Sequence, residues 1–357
     1  MKTLYAIFFS MGLSAVAAEL TFTGPQEAEV TVETLSSDDI VARSYSLRYA
    51  LTEGAWKMDV GVGINEFDLD YSPVLFGTDE TLSEKTQLLN FGLTRRWNSE
   101  WSGTVRFSAY DGYSDYRSIW IAEFYRQFFG AFPDYYDPEP QGQSFGMTAK
   151  WDYLPGSGSV ALSVDYGRDE IAPGWSFNSA TGRPEPGREI LDTISGSLRL
   201  EQALNGWLKT ELEVNVRQIT NRDPRYGIRH SWAAVAGPLG FRLTGGYTQE
   251  APSFDAVYGT ALVEWRFLPE WTCHIGYRVY QDSGEIQASG FNALAPPVDS
   301  RELFAGLQWE RGSLTLSAGV GMLRTDYEPL SEDNEFFGNL YRDREWMTFR
   351  IAAALRF

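Results

Sequence analysis

The segment WMTFRIAAALRF (residues 346–357) carries an apolar side chain at every odd position, while Thr348, Arg350 and Arg356 occupy even ones. A period of two marks a β-strand with one apolar and one wet face. The pattern recurs along the chain. From Trp56, the residues Met58, Val60, Val62 and Ile64 alternate with Lys57, Asp59, Gly61, Gly63 and Asn65. From Leu208, the residues Leu212, Val214 and Val216 alternate with Lys209, Glu211, Glu213, Asn215 and Arg217, and Leu314, Leu316, Ala318, Val320 and Met322 repeat the apolar set. Beyond the N-terminal segment no stretch approaches the roughly 18 consecutive apolar residues of a spanning helix. Backbone groups in hydrocarbon are otherwise satisfied only in a closed barrel. The rival is a secreted soluble β-protein, whose larger core would need more aliphatic mass.

Short turns recur at residues 53–56, 97–101, 204–207 and 268–271, each beside a tryptophan, and at 155–158, 237–240 and 310–312 without one. Indoles at one end of successive hairpins make an interfacial girdle. The opposite ends meet in longer, acidic connections at 69–83, 111–142, 168–188, 283–299 and 326–343. Seven turns join fourteen strands, residues 27–35 supply a first strand and 346–357 the last. The expected fold class is therefore all-β, a transmembrane antiparallel β-barrel of about 16 strands. Losing the first strand, or pairing residues 117–129 as strands, would make the count 14 or 18.

Lys2, the apolar run 4–13 and the small residues Ala15, Val16, Ala17 and Ala18 read as an export signal over 1–18, leaving one barrel domain over 19–357. The single Cys273 allows no intrachain disulfide. A net charge of −18 argues against nucleic-acid binding.

An alternating strand that closes on Phe357 resembles the C-terminal signature of bacterial outer-membrane β-barrels. That resemblance implies delivery to the outer membrane of a Gram-negative-type bacterium, recognition of Phe357 by the barrel-assembly machinery, and contact with outer-membrane lipid and lipopolysaccharide. The connection 111–142, third of the outer loops when the short one after the first strand is counted, is similar in position and length to the third loop of general porins, which folds into the bore and narrows it. Porins of that kind are homotrimers, but no residue here marks such an interface.

The same parity turns Arg48, Arg96, Arg106, Lys150, Arg199, Arg217, Arg229, Arg242, Arg266, Arg278, Arg350 and Arg356 inward, against Asp59, Asp152, Asp165, Glu201, Glu211, Glu213 and Glu264. Fixed charge in a bore sets ion selectivity. The expectation is an arginine-rich lumen that favours anions, and its bland counterpart is a wall braced by ion pairs. Within the third connection, Trp120, Ile121, Phe124, Tyr125 and Phe128 recur at helical spacing. Asp115, Arg117, Glu123, Arg126 and Asp134 are then the constriction residues of this loop, and a helix packed against the wall would place Asp115, Glu123, Asp134 and Asp137 near the arginines in a transverse field. A self-packed surface loop is the alternative.

Catalysis has little to draw on. His230 has outward parity beside an inward Ser231, His274 points inward with no nucleophile near it in sequence, and no metal, phosphate-loop or hydrolase motif is present. No cofactor or metal is expected. Acidic runs such as 331–335 and Asp68 with Asp70 could collect Ca²⁺ or bridge to lipopolysaccharide, but a solvated acidic surface is the plainer reading. The functional expectation is a non-enzymatic, porin-like channel for small hydrophilic solutes with an anion preference. The alternatives are a non-conducting barrel that binds partners through acidic loops and, third, a barrel hydrolase.

Overall fold

A computed structural model describes residues 24–73, 78–131, 135, 139–171, 175–178, 183–186, 189–220, 222–286, 294–328 and 338–357. The proposed export signal, Asp134, Asp137 and the run 331–335 lie outside the described residues.

Sixteen antiparallel strands close into one barrel. They are β1 (Gln26–Ser36), β2 (Ile40–Glu53), β3 (Trp56–Tyr71), β4 (Glu80–Arg96), β5 (Trp101–Asp111), β6 (Gln141–Leu154), β7 (Gly158–Ile171) and β8 (Glu189–Ala203). The second half is β9 (Leu208–Ile219), β10 (Arg225–Ala236), β11 (Leu239–Glu250), β12 (Phe254–Leu268), β13 (Trp271–Asp282), β14 (Val298–Arg311), β15 (Leu314–Tyr327) and β16 (Arg344–Arg356). Two short ribbons, Trp175–Asn178 with Arg183–Pro186 and Glu285–Ile286 with Leu294–Ala295, sit in outer connections. One helix among the described residues, α1 (Tyr116–Phe129), joins β5 to β6.

Closure is made by β1 against β16, from Glu27 opposite Arg356 to Ser36 opposite Met347. At a strand spacing of ~4.8 Å and a tilt near 40°, sixteen strands give a backbone radius of roughly 16 Å, too wide for wall side chains to fill. The seven short turns fall where the sequence puts them. Asn98 accepts from the backbone N–H groups of Glu100 and Trp101, and Asn205 from those of Trp207 and Leu208, which closes both Trp-bearing turns. At Gly54 and Gly312 the backbone takes φ of 57° and 60°, open to glycine without strain.

The outer surface is an apolar belt. Met347, Phe349, Ile351 and Leu355 on β16 continue across the seam to Val30 and Val32 on β1 and on through Leu47, Leu162, Val164, Leu198, Leu243 and Ile275, all exposed. Along β3 the belt runs from Trp56 to Ile64, which at ~3.4 Å per tilted residue is roughly 20 Å of height, close to the apolar band of an outer-membrane barrel. Exposed Trp56, Trp97, Trp101, Trp151, Trp207 and Trp265 ring its turn-bearing end. Trp101 stacks on Trp151 at 5.8 Å, and Trp271 lies 6.3 Å from Trp309. No described helix is long and apolar enough to cross a membrane.

Several strands outrun the membrane, since β4 has 17 residues and β3 has 16 where ~9–11 suffice. On these outer extensions the two faces exchange character. Arg43, Glu66, Asp68 and Lys85, which share the parity of the belt, pair on the outside as Arg43–Asp68 (2.6 Å) and Lys85–Glu66 (2.7 Å). Inward Ile40, Phe67, Leu69 and Tyr71 are buried instead.

Candidate functional site

The inner face divides into a mouth and a waist. At the mouth, α1 folds into the barrel. Its start is set by Asp115, whose carboxylate accepts from the Ser118 N–H at 2.9 Å, and residues 116–129 hold no glycine or proline. Ile119, Trp120, Ile121, Ala122, Glu123 and Phe124 are all buried, six consecutive positions that cover the whole circumference of a helix. The sequence expectation of a helix is met, but its middle is enveloped rather than presenting one wet face. Trp120 packs on Tyr71 of β3 at 5.0 Å and on Phe124 at 5.8 Å, and Tyr116 lies 5.8 Å from Trp346 of β16. Leu340 and Tyr341 join the same cluster.

A buried polar hub fastens this core. Arg344, at the start of β16, donates from Nε and Nη2 to the two carboxylate oxygens of Asp39, both at 3.0 Å, and Arg342 reaches the same carboxylate at 3.0 Å. Arg344 also donates to the carbonyls of Leu340 and Asn339. Asn339 receives the Trp120 indole N–H at 3.0 Å and donates to Asp39 at 3.1 Å and to the Asp70 carbonyl at 2.6 Å. The β1–β2 turn, the end of β3, the helix and the approach to β16 thus meet at the Asp39 carboxylate and the Asn339 amide bonded to it. Burial alone would raise the Asp39 pKa, but the hydrogen bonds and charge of Arg344, with Arg342, hold it below the usual carboxylate range.

The constriction residues sit differently from the sequence expectation. Asp115 caps α1, with Arg117 at 3.7 Å. Glu123 pairs with Arg126 of its own helix and lies against Glu80 of β4, which also accepts from Gln127 at 2.6 Å. Burial, reinforced by Glu80, pushes Glu123 up to about 7 in spite of Arg126. Among the described residues, the carboxylates of Asp115 and Glu123 face their own helix and the β3–β4 wall rather than the inward arginines, so these two do not supply the expected transverse field. The reason is apolar: Phe67, Leu69, Tyr71 and Trp346 draw the helix onto the β3 and β16 side of the mouth.

At the waist, strand parity places Arg48, Arg96, Arg106, Lys150, Arg199, Arg217, Arg229, Arg242, Arg266, Arg278, Arg350 and Arg356 on the inner face, opposite the belt. Many are paired. Arg48 meets Asp59 at 2.5 Å, Arg106 meets Asp165 at 2.9 Å, Lys150 meets Asp152 at 3.0 Å, and Arg278 meets Glu302 at 2.5 Å. Arg229 bridges Glu211 and Glu213, which also receive Arg199, while Lys209 holds Glu201 at 2.6 Å and Arg356 holds Glu27 at 3.2 Å. The Arg106–Asp165 pair spans β5 and β7 across Gly146 of β6, where a Cβ would lie 2.0 Å from the Asp165 carboxylate. Glu27, Glu29, Glu33, Asp169 and Glu302 share this face, and the sequence reading passed over them. The waist is a near-balanced lattice rather than an arginine bore. Arg96, Arg217, Arg242, Arg266 and Arg350 have no ion-pair partner among the described residues.

His230 faces outward, with Nε2 2.7 Å from the Thr210 hydroxyl and its ring 4.6 Å from Trp232. His274 faces inward beside Phe304 at 6.2 Å. Sequence reasoning missed Asp39, Asn339 and Arg344. The inward parity of Arg344 was readable from Arg350 and Arg356, but its partner lies 305 residues away.

No protein-family model matches the chain, and no curated protein matches it. Solved structures do. CdiB from Acinetobacter baumannii superposes with a TM-score of 0.55 at 11% identity, covering 93% of this chain and 60% of that one. A bacterial polysaccharide outer membrane secretin superposes with a TM-score of 0.54 at 8% identity, covering 93% of this chain and 98% of that one. The chain therefore spans less than two thirds of the first and nearly all of the second, and the likeness is one of fold. With its closed wall, apolar belt and tryptophan girdle, the chain has the fold of an outer-membrane β-barrel.

Proposed function

We propose that the barrel is a porin-like channel for passive diffusion of small hydrophilic solutes. One observation carries this reading: α1 is fastened to the β3 and β16 side of the mouth, while inward side chains elsewhere on the wall remain wet. Arg106 is 46% exposed, Arg199 45% and Arg278 56% although each is ion-paired. A helix about 10–12 Å across spans only about a third of the diameter of a barrel of this radius. The five inward arginines without an ion-pair partner among the described residues support a mild anion preference, far weaker than a bare arginine ladder would give. No reaction belongs to this reading, and neither histidine is assigned a catalytic role. The enveloped helix favours one rival, a barrel closed at its mouth that acts through its outer surface. Liposome swelling decides between them: proteoliposomes should swell in small neutral solutes and fail to swell as solute size rises. No swelling in the smallest solute would refute the channel.

A further inference from the structure

On the inner wall from β11 to β14, three rings lie flat against the sheet rather than standing into the lumen. Phe304 covers Gly276, the residue directly opposite it on β13, and a Cβ there would lie 2.3 Å from the ring. His274 covers Gly306 in the same way at 2.4 Å, and Tyr258 covers Gly246 at 2.2 Å. Tyr280 is the register partner of Tyr258. All four side chains are half-buried, with the wall behind them and the lumen in front. They rise from His274, three residues above the start of β13, to Tyr258, ten residues from the end of β12, an oblique stripe roughly 18 Å long at ~3.3 Å per tilted residue. Beside it Arg278 sits 5.3 Å from the Phe304 ring centroid and pairs with Glu302 at 2.5 Å.

We infer that this stripe binds neutral linear oligosaccharides passing through the lumen, an assignment that rests on the channel reading and names its substrate class. A pyranose presents an apolar C–H face that stacks on an aromatic face and a rim of hydroxyls that need donors and acceptors. The stripe supplies the first as flat rings. Arg278 and Glu302 supply the second as fixed donors and acceptors. Because that pair is internally neutralised, it offers hydrogen bonds without a net field, which suits an uncharged polyhydroxylated ligand over an ion. A purely aromatic solute would use the rings and leave the ion pair desolvated, at a penalty. The glycines matter because any side chain at Gly276, Gly306 or Gly246 would lift a ring off the wall.

The test is isothermal titration of the full-length detergent-solubilised barrel with maltotetraose and, separately, cellotetraose, alongside current block in planar bilayers. Saturable binding of at least one is expected, weakened about tenfold by Phe304→Ala and by Tyr258→Ala, and kept by Phe304→Tyr. Gly276→Val, which displaces the ring without removing it, should weaken binding as Phe304→Ala does. Conduction with no binding of either sugar overturns the inference and leaves the channel standing. Binding without conduction overturns the channel and leaves the stripe. Equal binding by wild type, Phe304→Ala and Tyr258→Ala places any sugar elsewhere and also overturns it.

Discussion

At the outer ends of β2, β3 and β16 the inward positions are Ile40, Leu69, Tyr71 and Trp346, whereas lower on the same strands they are Arg48, Asp59 and Arg350. Parity is unbroken between the two sets, and their environments are opposite. What differs is what faces them: α1 seals the upper set from water, and a wide lumen leaves the lower set wet. Polar groups follow the same division. At the mouth, Asp39 and Arg344 are buried and bonded to each other from both ends, so each depends on the other. At the waist, Arg106–Asp165 and its kin stay exposed and screened, where an ion pair contributes little to stability.

That contrast can be broken first at the hub. Asp39→Ala leaves Arg344 buried without a counter-charge and should destabilise the mouth by about 3–5 kcal/mol. Limited proteolysis should then cut between residues 112 and 140 in the variant at protease levels the wild type survives. Trp120→Ala, which opens a cavity against Tyr71 and removes a donor to Asn339, should cost about 3–5 kcal/mol in thermal unfolding, with the barrel still assembling.

Acidity acts on the same core in two directions. Glu123 is raised to about 7 in the fold, so the fold holds its proton where the unfolded chain has lost it. Docking of α1 therefore weakens as pH rises from about 4.5 to about 7, by up to roughly 3 kcal/mol. Asp39 is lowered, so its contribution is present above the unfolded carboxylate pKa and lost as pH falls through its folded value. Amide exchange of α1, corrected for intrinsic rates, should show strongest protection near pH 5, and Glu123→Gln should abolish the loss toward pH 8. Equal protection at pH 5 and 8 in the wild type would contradict the assignment.

The waist should answer weakly in stability and visibly in selectivity. Arg106→Ala is expected to change unfolding by less than about 1 kcal/mol. Replacing Arg242 and Arg266 together with Gln should lower the anion-to-cation permeability ratio by a small factor, read from reversal potentials, with no change in thermal unfolding. A large stability loss from either substitution would erase the distinction between the regions.

Most of the wall is legible in the amino-acid sequence. Sixteen strands, the seven turns and the facing of residues from Lys57 to Asn65 follow from alternation and turn chemistry, because a barrel strand's two faces meet different solvents over its whole length in the membrane. The rule fails at Phe67, Leu69 and Tyr71, where the strand leaves the membrane. There the outside turns wet and the inside meets a helix, so the apolar set changes faces. The position of α1 was hidden for a related reason. Its spacing announces a helix, but the choice of wall lies with Trp346, Leu340 and Asn339, more than 200 residues away in sequence. Ion pairing at the waist was half-readable, since the acids on β1 and β14 obey the same parity as the arginines they offset.

Single-channel recording of wild type beside Asp39→Ala tests most directly whether the mouth is narrowed from one side above an open, wet waist. Wild-type protein in planar bilayers should give discrete conductance steps, and releasing α1 should enlarge them. A wild type without steps that begins to conduct only as Asp39→Ala would mean that the hub closes the barrel, contradicting the account.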